Sequence, residues 1–289
     1  TVPGASRSCH AAFLRGMQQS DGGFPGRAGA SDVYYTSFAL RGLLLLDALD
    51  ADTARRAGEF LAQAARPTDA VELFTFLSSA MLAAMAGGAD SFAAIGTEPV
   101  ELVQNVLDPL ACPDGGVGKS SRSGMGSTYH TFLGALCREM AGQPMENGDQ
   151  IAAFVRGRQR EDGGFVELPV MRRSGVNPTA AAVALLRMMD ALDAPTSERA
   201  ARYLMDAQGP DGGFRAHSAI PTADLLSTMT GLVALGDLRA WHHMELASVR
   251  RFVNSLALPG GGYLAATLDD QPDTEYAFYG IAASALLAA

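Results

Sequence analysis

The chain has 289 residues, 48% of them hydrophobic, 18% charged and 7% aromatic, with 22 Lys+Arg against 31 Asp+Glu and a net charge of −9. So much apolar content excludes a disordered chain or a small disulfide scaffold, and the acidic balance argues against nucleic acid as a partner. Three widely spaced cysteines (Cys9, Cys112 and Cys137), no long apolar run and no basic-then-apolar start read as a reduced, cytoplasmic globular protein with no transmembrane segment.

In chain order, residues 9–19 have helical periodicity with charge on one side, and the pattern breaks at Gly22, Gly23 and Phe24. A helix apolar nearly all round follows at 34–49. The same pair recurs at 52–65 and 71–86, joined by a breaker cluster at 65–70 that has no glycines. In the third unit a glycine pair, Gly115 and Gly116 before Val117, precedes an apolar helix at 129–140. The fourth unit reads 149–158, Gly163-Gly164-Phe165, then 179–192. The fifth reads 197–207, Gly212-Gly213-Phe214, then 224–235, and the sixth reads 245–256, Gly261-Gly262-Tyr263, then 276–288. First glycines are separated by 93, 48, 49 and 49 residues, so the copy without glycines falls near residue 69 and six units of about 48 residues fill the chain. Three copies extend to Gln-x-x-Asp-Gly-Gly-Phe, at 18–24, 159–165 and 208–214.

A helix apolar on every face must be buried on every face. One buried and one half-exposed helix per unit, six times, predicts an all-α (α/α)6 toroid of two concentric rings. It would be a single domain over 1–289 with negligible strand. The glycine pair is expected to end each amphipathic helix in a left-handed conformation, with the aromatic tucked beneath. Inner helices are expected to start near 32, 69, 127, 177, 223 and 273, with Asp32, Ser127, Asn177, Thr222 and Asp273 as caps. Gathered at one rim, their N-termini would suit an anion, and the loops that enter the rim hold Arg27, Lys119, Arg122, Arg172, Arg173 and Arg215 with His217. Tyr34, Tyr35, Phe38, Phe74, Phe76, Tyr129, Phe132, Tyr276, Phe278 and Tyr279 lie on inner helices, where some would face a cavity. The single Trp241 argues against a sugar platform.

The Gln-x-x-Asp-Gly-Gly-Phe copies, with the stretch from Gly26 and Arg27 through Asp32 to Gly42, resemble the prenyltransferase and squalene-cyclase repeat superfamily over all six units. The resemblance is closest to protein prenyltransferase β subunits of the Rab geranylgeranyl type. It implies a prenyl diphosphate in an apolar funnel, a helical α-subunit partner, and a zinc ion that turns an acceptor thiol into thiolate. The family's Asp, Cys and His ligands fall here on Asp224, Leu226 and Tyr276, so no zinc is expected, although magnesium would accompany a diphosphate. His130, in a phrase that looks like the ligand-bearing one but lies in the third unit, reads as a hydrogen-bonded cavity residue. The superfamily's other chemistry protonates an alkene or epoxide from an Asp-x-Asp-Asp motif. That motif is absent, and the nearest candidates are Asp273 and Glu275, preceded by Asp269 and Asp270.

These observations lead to an isoprenoid-diphosphate-binding, transferase-like enzyme. Its substrate residues would be Arg27, Tyr34, Tyr35, Lys119, Arg122, Tyr129, His130, Arg172, Arg173, Asn177 and Tyr276, and its catalytic residues Asp273, Glu275 and Asp224. A single-domain, proton-initiated terpene cyclase and a non-catalytic toroidal binding module are the alternatives.

Overall fold

The computed structural model describes residues 4–145 and 147–288, which form thirteen α-helices, two short 3-10 turns and only isolated β-bridges. In chain order these are α1 (Gly4–Gly16), α2 (Val33–Leu45), α3 (Ala51–Gln63), α4 (Ala70–Met85), α5 (Ser91–Ile95), α6 (Pro99–Leu107), α7 (Thr128–Met140), α8 (Gly148–Arg156), α9 (Val176–Met188), α10 (Ala194–Asp206), α11 (Leu225–Asp237), α12 (Leu246–Ser255) and α13 (Thr274–Leu286). The all-α expectation holds, and the apolar helices start within a residue or two of the expected positions. The extra helix α5 was not anticipated.

The chain forms two compact units. Unit 1 takes the N-terminal part to Leu102 together with the segment from Val253 onward, and unit 2 is the continuous stretch Val103–Phe252. In unit 1 the apolar helices α13, α2 and α4 pack side by side with α2 central, and α1 and α3 lie behind them. Leu40, Leu43, Leu73 and Leu77 are fully buried there, and Ser37 and Ser78 share a 2.9 Å hydrogen bond between α2 and α4. Unit 1 also joins the first repeat to the last. Gly262 donates its N–H to Nδ1 of His10 at 3.1 Å, and the Thr274 hydroxyl reaches the Pro25 carbonyl at 3.4 Å. In unit 2, α7, α9 and α11 pack side by side with α9 central, backed by α8 and α10 around Val155, Phe165, Leu185 and Leu186.

The repeated motif is a turn that follows the amphipathic helix, not the helix end expected from sequence. α10 stops at Asp206, six residues before Gly212. In the first repeat Gln19 N–H bonds the Gly23 carbonyl at 2.9 Å and Gly22 N–H bonds the Gln19 carbonyl at 3.0 Å, closing a tight hairpin. The first glycine of every pair has φ between +90° and +94°. A side chain there would also collide with the next repeat's amphipathic helix, at the carbonyl of Arg199 for Gly163 and of Ser248 for Gly212. The signature glutamine bridges both parts: Gln159 donates to the Gly163 carbonyl at 3.0 Å and the Thr196 carbonyl at 3.3 Å. The aromatic is wholly buried at Phe24, Phe165 and Phe214, and its N–H donates to a threonine hydroxyl in the following apolar helix (Thr36, Thr179 and Thr228).

Two caps differ from expectation. Gly175, not Asn177, caps α9, and no side chain bonds there. Pro178, the third helical residue, has no N–H for a capping oxygen to accept. Asp224, not Thr222, caps α11 by accepting from Ser227 N.

Candidate functional site

The start of α13 in unit 1 brings together several of the expected residues. Asp273 caps the helix, with Oδ1 2.8 Å from Tyr276 N, and is almost wholly buried. Its Oδ2 accepts from Arg27 Nε at 3.1 Å, while both carboxylate oxygens of Asp269 accept from the other guanidinium nitrogens at 2.8 and 2.6 Å. Hydrogen bonds that Arg27 donates to Asp269 and Asp273 raise its pKa. Burial pulls the Asp269 carboxyl upward, yet Arg27 and backbone N–H groups hold it below its ordinary value. Arg27 is therefore matched by two carboxylates of its own chain.

In the first turn of α13, Glu275 Oε1 accepts from the hydroxyls of Tyr34 at 2.8 Å and Tyr279 at 3.2 Å. Burial drives its pKa up; the Tyr34 bond opposes this, and the charge of Asp273 adds to the rise. Around it lies an aromatic group in edge and tilted contacts: Tyr34 to Phe38 at 4.9 Å, Phe38 to Tyr279 at 5.3 Å and to Phe278 at 5.6 Å, and Tyr276 to Tyr279 at 5.8 Å. Arg41, two turns along α2 from Tyr34, places its guanidinium 4.5 Å from the Phe38 centroid and 4.4 Å from that of Phe278. These ring faces thus hold a cation already. Tyr35 packs on Gly26, where a Cβ would come within 2.7 Å of the ring.

Unit 2 gathers a second set at the start of α7. Ser127 caps the helix, accepts from His130 N at 3.1 Å, pairs with His130 Nδ1 at 2.8 Å and donates to Glu167. Glu167 also accepts from Tyr129 N, at 3.3 and 3.2 Å to its two oxygens. A cavity of about 350 Å³ opens here, lined by Lys119, Ser123, Met125, His130, Glu167 and Leu168. Sequence reasoning reached Lys119, Tyr129 and His130 but missed Glu167, a loop residue 40 positions beyond Ser127 with no motif of its own.

The remaining candidates are scattered through unit 2. Asn177 accepts from Thr230 at 2.7 Å between α9 and α11. Arg122, Arg172 and Arg173 are exposed, as is Lys119. Arg215 turns back onto the Asp206 and Ala207 carbonyls, and His217 accepts from Ala219 N. Asp224 is spent on capping: its oxygens accept from Ser227 N at 2.7 Å and Ser227 Oγ at 2.8 Å. Burial raises its pKa against those bonds.

Zinc of the kind the resemblance implies does not fit these residues. Leu226 has no donor atom, and Ser227 engages both oxygens of Asp224. Burial pushes the Cys137 thiol up to about 12, so it offers no ready thiolate. Among the described residues no three His, Cys, Asp or Glu side chains are grouped to hold a metal.

The helix N-termini expected to receive an anion are served from within the chain. Asp32, Asp69, Asp224 and Asp273 cap α2, α4, α11 and α13, and Ser127 with Glu167 covers α7. At α9, Val176 N bonds the Ala216 carbonyl at 2.9 Å.

No curated protein matches the chain. Among solved structures it is similar to Candida albicans protein geranylgeranyltransferase-I complexed with GGPP, at TM-score 0.73 and 13% identity over 96% of this chain and 90% of that one. It is also similar to a variant of the type II terpene cyclase MstE from Scytonema, in complex with geranylgeranyl dihydroxybenzoate. There the TM-score is 0.64 and identity 16%, over 98% of this chain and 95% of that one. A third is a protein from Actinoplanes, at TM-score 0.62 and 17% identity, over 99% of both chains. The model of the prenyltransferase alpha-alpha toroid domain matches residues 4–72, 54–215 and 128–289. The chain therefore belongs to the prenyltransferase alpha-alpha toroid family.

Proposed function

We propose that this protein binds an isoprenoid chain and acts on it as an acid, with the Glu275 carboxyl protonating a carbon–carbon double bond. The observation that carries the reading is that carboxyl: half-buried, raised in pKa, steadied by Tyr34 and Tyr279 and set among aromatic rings. Glu275 would give its proton to one alkene carbon and leave a carbocation on its neighbour. The two tyrosine hydroxyls would stabilise the carboxylate left behind. Rings such as Tyr276 and Tyr279, beside Glu275, would stabilise the carbocation. Attack by a second double bond closes a ring, and loss of a proton from an adjacent carbon ends the reaction, so the product is an isomer of the substrate. Asp273 serves as a positioning residue: it caps α13, anchors Arg27 and, after burial, adds its charge to the rise in the Glu275 pKa.

A neutral isoprenoid is favoured over a diphosphate because the helix N-termini are engaged by carboxylate, hydroxyl and carbonyl groups of the chain itself, and Arg27 by two of its carboxylates. The transferase reading keeps one observation of its own, the exposed Lys119, Arg122, Arg172 and Arg173 in unit 2.

The test is incubation with geranylgeraniol, and separately with geranylgeranyl diphosphate, in D2O. The expected product has the substrate's composition with one deuteron added to carbon in exchange for one proton lost. Glu275→Gln should abolish it, and Tyr34→Phe should slow it about tenfold or more. Diphosphate release that survives Glu275→Gln would overturn this reading in favour of transfer. Absence of turnover with every isoprenoid tried, alongside tight binding, would leave the toroid as a binding module.

A further inference from the structure

The three loops that lead into α7, α9 and α11 differ in composition from the rest of the chain. Residues 118–126, 168–175 and 215–223 contain none of the 31 acidic residues, yet they hold Lys119, Arg122, Arg172, Arg173 and Arg215. They lie together at one end of unit 2, because each helix start is tied to the next loop. Thr128 N bonds the Glu167 carbonyl at 3.1 Å, and Val176 N bonds the Ala216 carbonyl at 2.9 Å. The same loops expose large apolar side chains at their tips. Val170 is 72% exposed, and Met125, Met171 and Ile220 are also open to solvent. Met171 sits next to Arg172 and Arg173.

We propose that this end of unit 2 seats on the surface of an anionic phospholipid bilayer, with Val170 and Met171 entering the headgroup boundary and Lys119, Arg122, Arg172 and Arg173 meeting lipid phosphates. Apolar side chains interleaved with cations suit a surface that is apolar beneath and anionic above. A soluble polyanion would use the charges and leave the apolar tips wet. No helix among the described residues is long and apolar enough to cross a membrane, and the proposed contact is a peripheral one. The net charge of −9 disfavours approach of the chain as a whole to an anionic surface, so a basic end helps to orient it.

The experiment is co-sedimentation with vesicles of phosphatidylcholine alone and with one third phosphatidylglycerol. The wild-type chain should bind the mixed vesicles, release at high salt and leave phosphatidylcholine largely unbound. R172E/R173E should cut the partition roughly 25-fold or more, at about fivefold per cation removed. Val170→Asp, with every cation kept, should cut it roughly tenfold. Both substitutions lie on exposed loop residues, and an unchanged circular dichroism spectrum and melting temperature confirm that the variants fold. Failure to bind mixed vesicles, equal binding to phosphatidylcholine alone, or wild-type binding by R172E/R173E overturns the proposal. Loss with R172E/R173E but none with Val170→Asp also overturns it, since the partner is then a polyanion and not a bilayer. Glu275→Gln should bind vesicles like wild type, so this result stands or falls apart from the proposed chemistry.

Discussion

In unit 1 the loop arginine ahead of the first apolar helix, Arg27, ends between two aspartates. In unit 2 the corresponding loops send Arg122, Arg172 and Arg173 out to solvent with no acidic neighbour in their own segments. The turns beneath share glycines of the same φ and threonine acceptors, with a buried phenylalanine ahead of Arg27 and of Arg172 and Arg173, and Val117 in its place ahead of Arg122. A repeat scaffold fixes where a loop begins and ends while leaving its charge free to change. Unit 1 uses that freedom to neutralise its loops beside a raised carboxyl, and unit 2 keeps its loops positive.

The largest effect should show what the units share. Gly22→Ala in unit 1 and Gly163→Ala in unit 2 each force a side chain into a left-handed residue against a neighbouring carbonyl. Each should cost about 3 kcal/mol or more in urea unfolding. If either glycine tolerates alanine within about 1 kcal/mol, the common scaffold breaks down.

The next effect should separate the units. Arg27→Met leaves Asp273 buried without its cation and should destabilise the protein by about 2 kcal/mol, a figure already reduced for the partial exposure of Arg27. Arg172→Met removes an exposed charge and should stay within about 0.5 kcal/mol. Equal losses would mean that the unit 2 cations are paired in solution. Ser127→Ala, which removes the α7 cap and its bonds to His130 and Glu167, should cost about 1 kcal/mol.

The smallest effects are pH dependences, and two of them belong to unit 1. Glu275 has a raised folded pKa, so the unfolded chain releases this proton first. Stability should fall as pH climbs from the ordinary glutamate value through the raised one, and Glu275→Gln should flatten that slope. His10 has the opposite sense. Burial lowers its pKa, and its Nδ1 must stay unprotonated to accept from Gly262, so stability should fall as pH drops below the ordinary imidazole value. Melting curves across pH, with His10→Gln beside wild type, would detect both slopes.

The fold was legible because its signals are local and periodic. Asp32, Asp273 and Ser127 announce helix starts, and the Gln-x-x-Asp-Gly-Gly-Phe copies mark the turns. Gly175 was missed because a glycine cap has no side-chain signature, and the order of Thr222 and Asp224 does not say which one caps. The candidate site was legible only residue by residue. Tyr34 and Glu275 stand 241 positions apart, and nothing in either neighbourhood announces their bond. Arg27 and Arg215 read as loop cations like Arg172, yet one ends on carboxylates and the other on carbonyls. Which basic residues keep their charge for a ligand depends on partners supplied by other repeats.

The join between the first and last repeats bears on how the molecule is synthesised. Unit 2 is one continuous stretch and can complete its contacts while later residues are still on the ribosome. Unit 1 must wait, because His10 and Pro25 have their partners in Gly262 and Thr274. Until those residues emerge, the apolar face that α2 turns toward α13 stays uncovered, and closing so long a loop delays its burial. The nascent N-terminal third is thus the part of this chain most in need of a chaperone.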